Sequence, residues 1–200
     1  MDLFDSDSDS YENETLGQGD LPESGVSGKE FSSCRFERCD FTEADLSASR
    51  FEGCRFVACN FSNPVIKRAR FADAVFEECK IVGVNFYACD QLVFDIKFDR
   101  CRLLNCNFSD LKMKNSRFTL CELRGCDFQN THLVGAAFDG STFAETLFHS
   151  CDLEKASFRG ARGYSIDPRA NKIAKAVFSV PEVISLIESF GIVIEDADRR

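Results

Sequence analysis

Apolar side chains recur at every fifth position through most of this 200-residue chain. A first tract runs from Phe31 to Phe86 in steps of five, and a second tract, displaced by two residues, runs from Phe98 to Phe158. On an α-helix a step of five spirals round the axis, and on a strand an odd step alternates between faces. Neither element explains the period, so the sequence predicts a chain that bends repeatedly.

Small side chains keep step with the large ones. In 20 of the 25 units the residue two before the centre is Ala, Cys, Ser or Thr. We infer that the chain turns a corner every five residues and directs both positions inward. Four units then close a square coil, and coils stack at about 4.8 Å. The 25 units predict about six coils, with corners at the glycines that follow the centre by two residues.

The units CDFTE, ADLSA, CNFSN, CDFQN and CDLEK carry a recognisable motif. They resemble the pentapeptide repeat, in which a small residue precedes Asp or Asn and then Leu or Phe. The resemblance covers residues 29–160. It implies an all-β solenoid, the right-handed quadrilateral β-helix, and we expect a short C-terminal capping helix and strand to close it.

The chain divides into three predicted regions. We expect an acidic disordered leader at 1–18, a β-helix at 19–162 with repeat tracts 29–88 and 96–160, and a C-terminal cap and dimerisation segment at 163–200. Residues 1–30 hold nine acidic side chains and one basic one, which accounts for −8 of the net charge of −9. The leader serves either solubility or mimicry of a polyanion, and we expect the fold to survive its deletion.

The eleven cysteines follow the repeat. Their spacings are multiples of five, except for the one step that crosses the change of phase. This places them at the small inward position, counting Cys89 as part of a degenerate unit. No C-x-x-C pair suited to zinc is present. We therefore expect reduced, buried, structural thiols, with no metal and no cofactor.

The two tracts are separated by an interruption at 87–97 that adds two residues. The pattern predicts a bulge or short loop leaving the rod, and this segment and its edge carry Asp90, Asp95 and Asp99. These carboxylates are candidates for partner binding. The alternative is a structural kink where the tracts join.

A helix of about ten residues is predicted near the C-terminus. Ser179 and Glu182 match a capping box, Pro181 suits a first turn and Gly191 suits a stop. An apolar stripe at helical spacing follows, formed by Val183, Leu186, Ile187 and Phe190. This stripe can cover the open end of the solenoid or pair with a second copy.

The tail adds a second resemblance. Ile166-Asp167-Pro168, the run AVFSVP at 176–181 and Gly191-Ile192-Val193-Ile194 are similar to the ending of the topoisomerase-protecting subgroup, and GVNF at 83–86 is similar to its albicidin-immunity type. That subgroup includes quinolone-resistance proteins of the Qnr type and self-immunity proteins against microcin-like and albicidin-like poisons. The resemblance implies a homodimer through the C-terminal segment, a DNA-mimicking rod, and binding to DNA gyrase and/or topoisomerase IV.

The sequence departs from that subgroup in two respects. Residues 31–160 carry 18 acidic and 17 basic side chains, so a uniformly negative surface is not predicted. Long projecting loops are also missing, which favours the immunity type with a plain rod.

Other function classes find little support. No catalytic motif occurs, and His132 and His149 lie at outward repeat positions. The acidic chain argues against direct binding of nucleic acid, and no apolar run long enough to span a membrane is present. We expect a cytoplasmic, non-enzymatic protein. Its alternative function is that of a generic pentapeptide-repeat scaffold for some other protein partner.

Overall fold

The computed structural model describes residues 8–188 and 190–192. Within them the chain winds through about eight coils of a right-handed quadrilateral β-helix, which confirms the predicted fold class. Every pairing between strands is parallel and joins one coil to the next. The coils outnumber the six expected because the solenoid extends beyond the repeat tracts at both ends.

The strands are short because each occupies a single side of a coil. One sheet bends round a corner and contains β1 (Ser10–Glu12), β2 (Thr15–Leu16), β3 (Glu30–Ser32), β4 (Arg35–Glu37), β5 (Arg50–Glu52), β6 (Arg55–Val57), β8 (Arg70–Glu77), β10 (Phe94–Asp99) and β12 (Arg117–Thr119). A second contains β7 (Asn60–Ser62), β9 (Lys80–Val82), β11 (Arg102–Leu104), β13 (Glu122–Arg124) and β14 (Thr142–Ala144). The third pairs β15 (Ser157–Phe158) with β16 (Val177–Phe178).

We number the four faces in chain order by their central residues. The first face has Tyr11, Phe31, Phe51 and Phe71, then Met113, Leu133 and Leu153. The second has Leu16, Phe36, Phe56, Phe76, Phe98, Phe118, Phe138, Phe158 and Phe178. The third runs from Phe41 through Ile81 to Phe143, and the fourth runs from Val26 through Phe86 to Phe148 and Ile166.

Phenylalanine rings fill the interior as continuous stacks. On the second face, Phe36, Phe56 and Phe76 stack with centroids 4.8 and 4.7 Å apart, and the stack continues at about one coil spacing to Phe178. Rings on adjacent faces meet edge to face, as Phe108 and Phe118 do at 5.6 Å. Both geometries are favourable for aromatic pairs. The core is therefore solid along the axis.

The small inward residues hydrogen-bond to the coil before them. Cys54 Sγ donates to the carbonyl of Phe31 at 3.3 Å, and Thr131 Oγ1 donates to that of Phe108 at 2.9 Å. Each acceptor lies 23 positions earlier in the sequence and is the central residue of a unit in the preceding coil. All eleven cysteines are free and buried, as the sequence predicted. A thiol or hydroxyl at this position thus fits the space and satisfies a buried carbonyl.

The corners adopt the left-handed backbone conformation two residues after the centre, with φ near +55° at most of them. The six repeat glycines occupy such corners, which confirms that part of the prediction. Most corners nevertheless hold other residues, including Ala58 and Leu120. The stacked coils therefore impose this conformation even where the side chain opposes it.

The solenoid begins earlier than the sequence predicted. The expected disordered leader at 1–18 is wrong for Ser10–Glu12 and Thr15–Leu16, which pair with β3 and β4. Tyr11 stacks on Phe31 at 5.0 Å, and Leu16 is fully buried. Both residues continue the five-residue register, and their burial orders an acidic segment. Residues 1–7 lie outside the described residues.

The solenoid also ends later than expected. Residues 163–178, assigned to the cap, form part of a further coil in which Ile166 bridges to Phe148 and Phe178 pairs with Phe158. The regular spacing is lost, but Tyr164 and Ile166 still face the core. Ala161 and Phe178 continue the inward positions around it.

The predicted ten-residue helix is shorter and differently capped. It comprises a 3₁₀ turn at Glu182–Ile184 followed by α1 at Ser185–Glu188. The predicted capping box is absent, because Ser179 Oγ instead accepts the Gly160 N–H at 3.0 Å. The predicted strand at 192–195 falls almost entirely outside the described residues.

Candidate partner-binding surfaces

The interruption runs from the end of the fourth face along the first face to the start of the second. It begins in a 3₁₀ turn at Phe86–Ala88, and the pairing of β10 with β8 shifts register between Phe94 and Ile96. The two added residues are taken up there, so that Phe98 again stacks on Phe76.

The three candidate aspartates have different environments. Asp90 is half-buried and accepts hydrogen bonds from Arg70 Nη2 at 2.6 Å and Nε at 3.1 Å, which together lower the pKa of its carboxyl. Asp99 lies in β10 beside Arg100, 2.8 Å from its Nη2. Asp95 is exposed on the register shift. Two of the three carboxylates are thus neutralised within the chain.

Apolar side chains form the more unusual part of this segment. Leu92 is 87% exposed, and Tyr87 and Val93 are about half exposed. Gln91 Nε2 donates to the Tyr87 carbonyl, and the Leu92 N–H donates to Asp90 Oδ1, so the loop is hydrogen-bonded internally. The sequence singled out the carboxylates because they recur, whereas exposure of Leu92 depends on how the inserted residues are accommodated.

The C-terminal stripe divides into two parts. Leu186 is buried and Val183 packs on the core, so these two residues cap the rod. Ser185 Oγ donates to the Tyr164 carbonyl at 3.3 Å and holds the turn against the last coil. Ile187 and Phe190 are 38% and 52% exposed, and the Arg169 guanidinium lies 5.0 Å from the Phe190 ring centre. The sequence pattern could not separate the capping residues from the exposed ones.

Charged side chains on the outer faces pair between coils. Arg50 Nη1 lies 2.6 Å from Glu30 Oε1, Arg102 Nε lies 2.8 Å from Glu122 Oε2, and Arg55 pairs with Glu77. Each pair joins neighbouring coils, and each is substantially exposed to solvent. Such pairs contribute little stability, but they make much of the rod surface locally neutral.

The buried thiols form columns along the interior of the rod. Cys39, Cys59, Cys79, Cys101 and Cys121 follow one another in a single column. Burial raises the pKa of Cys54 to about 12 and that of Cys151 to about 11, so both remain thiols at neutral pH. Among residues 8–188 and 190–192 no cluster of three or more His, Cys, Asp or Glu side chains is suited to hold a metal ion. No helix in the described part of the chain is long and apolar enough to cross a membrane.

A filled, four-sided β-helix whose charged side chains lie on its outer faces is the architecture of a repeat-protein rod. The sequence profile described as "Pentapeptide repeat region" matches residues 29–92 and 92–162. The chain therefore belongs to the pentapeptide-repeat family. This match indicates no catalytic family.

Several solved structures are similar to this chain at low sequence identity. The full-length plasmid-mediated fluoroquinolone resistance protein QnrB1 is 20% identical, with a TM-score of 0.46 over 92% of this chain and 100% of that chain. HetL, involved in heterocyst differentiation regulation in the cyanobacterium Nostoc sp. strain PCC 7120, is 14% identical, with a TM-score of 0.41 over 85% and 83%. Rfr23 from the cyanobacterium Cyanothece 51142 is 12% identical, with a TM-score of 0.24 over 85% and 88%. A search of curated protein sequences found no match.

Proposed function

We propose that this protein binds DNA gyrase or topoisomerase IV in the cytoplasm and protects the enzyme from topoisomerase poisons. The observation that carries the proposal is the tail sequence from Ile166 to Ile194, which is similar to the ending of topoisomerase-protecting proteins. The solid core supports a non-enzymatic mode of action, because only the outer surface is available to a partner.

The protein acts as a homodimer in this proposal. Val180, Ile184, Ile187, Phe190 and Ile192 are exposed at the C-terminal end of the rod. Exposed apolar residues concentrated at one end fit an isologous contact with a second copy. Two rods joined there would form a longer rod with free N-terminal ends.

The contact with the enzyme includes the interruption. Asp95 and Leu92 are exposed there and lie where the first repeat tract changes phase to the second. Asp90 and Asp99 support this segment through Arg70 and Arg100. The double variant D95A/L92S should weaken protection without altering the circular dichroism spectrum.

The decisive experiment is a supercoiling assay with purified gyrase. Addition of the protein should restore supercoiling in the presence of a poison, either a quinolone or a peptide toxin. If micromolar protein changes neither gyrase nor topoisomerase IV activity, the proposal is wrong.

Dimerisation is tested separately by sedimentation. The variant F190E should sediment as a monomer, whereas L120E, at an exposed mid-rod corner, should remain dimeric. An unchanged F190E dimer would exclude the C-terminal face as the contact.

The alternative is a pentapeptide-repeat scaffold for a different protein. The ion pairs between coils favour it, since a surface made neutral by Arg50–Glu30 and Arg102–Glu122 is a poor mimic of DNA charge. In the supercoiling assay, protection of gyrase by this protein but not by an unrelated rod of the same fold would favour specific protection over the scaffold function.

A further inference from the structure

The first face changes charge along the rod axis. In the coils before the interruption its outward positions hold Arg50 and Arg70 against four carboxylates, Glu12, Glu30, Glu52 and Asp73, a sum of −2. After the interruption they hold five lysines, Lys112, Lys114, Lys155, Lys172 and Lys175, against Asp152 and Glu154, a sum of +3. We call these five lysines the lysine face. The nearly neutral total for the repeats conceals this difference.

Pairing between coils brings the lysine face together. Lys112 bridges to His132, His132 to Asp152 and Asp152 to Lys172, so these residues form one column. The Lys155 N–H donates to the Ala174 carbonyl at 2.9 Å, which places Lys155 beside Lys175 on the adjacent corner. All five lysines are exposed. Residues separated by 63 positions in sequence thus share one flat surface.

The carboxylates within this surface are partly withdrawn from solvent. The Asp152 side chain is only 18% exposed and lies 3.9 Å from His132 Nδ1 and 4.0 Å from Lys172 Nζ. No carboxylate lies within ion-pair distance of Lys112, Lys114, Lys155 or Lys175 among the described residues. Asp110, on the neighbouring corner, accepts from Asn130 instead. The lysine charges are therefore available to an external anionic group.

We propose that the lysine face binds a short, extended acidic segment of a partner protein. Its column spans three coil spacings, about 14 Å, which corresponds to four or five extended residues. The nearest carboxylate of the coils before the interruption, Asp73, lies two coil spacings away, about 10 Å, and is paired with Lys97 Nζ at 2.6 Å, so it does not cancel the local charge. The proposal does not depend on which enzyme the protein protects.

Two features favour an acidic protein segment over nucleic acid. No aromatic side chain on the lysine face offers a stacking platform for bases. A duplex lying along the rod axis would extend past the lysines onto the acidic coils of the same face, whereas a segment of a few residues would not.

The test uses the full chain and a fluorescein-labelled decapeptide of alternating Glu and Ser. Anisotropy at low salt should show binding that weakens at least tenfold at 150 mM salt. The triple variant K112Q/K114Q/K155Q should weaken binding at least tenfold. The matched control K67Q/R68Q/K80Q removes three exposed cations from other positions and should change binding less than twofold. Thermal denaturation should be the same for both variants.

Three outcomes would overturn the proposal. The first is no binding by the wild-type protein at millimolar peptide in low salt. The second is an equal loss in both triple variants, which would mean that only total charge matters. The third is tighter binding of a 20-base-pair duplex than of the peptide at the same salt concentration.

Discussion

At Gly25 the backbone of one coil passes directly against the backbone of the next. Gly25 has φ of +104°, and a Cβ atom added there would collide with the backbone of Asp45. Gly28, three residues later, has φ of +74° with no atom within 4 Å of such a Cβ. A substitution at Gly25 therefore meets both a backbone contact and a positive φ, whereas a substitution at Gly28 meets the positive φ alone.

We expect G25A to lower the free energy of unfolding by more than about 2 kcal/mol, because a backbone contact cannot relax by rotating a side chain. G28A should cost about 1 kcal/mol, the price of a positive φ alone. Urea denaturation measures both. Equal losses would show that the contact at Asp45 is not limiting.

The buried thiols make stability depend on alkaline pH. Burial raises the pKa of Cys54 from its ordinary 9.0 to about 12. In the unfolded chain this thiol loses its proton near pH 9, so its contribution is complete below that pH and declines as pH rises toward 12.

We therefore expect the free energy of unfolding to fall between pH 8 and pH 10, with Cys54 alone contributing about 1 kcal/mol of the change. Urea denaturation at both pH values measures it. In C54A the difference between the two pH values should be smaller by that amount. The same pH dependence in C54A and wild type would contradict the assignment.

At the level of residues, much of the interior could be predicted from sequence. Phe56 and Cys54 could both be assigned inward positions, because large residues and small residues each recur every five positions and stay two residues apart. The hydrogen bond from Cys54 could not, because its acceptor on Phe31 belongs to another coil. Ser116 shows the limit: its hydroxyl is buried without a partner, and the position 23 residues earlier, Val93, lies in the interruption, where the regular pairing of the coils is broken.

Among the elements, the C-terminal turn was the least predictable. A stripe of Val183, Leu186, Ile187 and Phe190 defines an apolar helix face, but the length of the helix depends on tertiary contacts. Ser179 bonds to Gly160 and Ser185 to Tyr164, so both hydroxyls serve the last coil rather than a helix cap. Only the assembled rod determines which apolar residues it covers.

The two halves of the stripe should respond differently to truncation. L186A should lower the free energy of unfolding by about 2 kcal/mol, because it opens a cavity over the end of the core. I187A should cost less than about 0.5 kcal/mol, since Ile187 is more than one-third exposed.

Chemical denaturation at micromolar protein measures stability, and sedimentation measures association. In the proposed dimer, I187A should weaken association even though it preserves stability. A large stability loss in I187A at concentrations where the protein is monomeric would mean that Ile187 is a capping residue.

For the whole molecule, the boundaries of the rod follow from stacking rather than from charge. The sequence predicted disorder at 1–18 because acidic residues dominate there, yet Tyr11 and Leu16 keep the register and each covers a ring of the next coil. A stacked solenoid exposes apolar surface wherever it stops, so every coil added at an end protects the one behind it.

Deletions at the N-terminus test this directly. Removing residues 1–7 keeps the whole of β1, which begins at Ser10, and serves as the matched control. Removing residues 1–18 also deletes Tyr11 and Leu16, whose burial is worth about 3 kcal/mol or more in total, and leaves Phe31 and Phe36 at an open end. We expect a lower melting temperature and faster proteolysis of the next coil. If both deletion variants have the melting temperature of the full-length chain, the first coil contributes nothing to the stability of the rod. The stabilising part of the chain would then begin after residue 18, where the charge pattern places it.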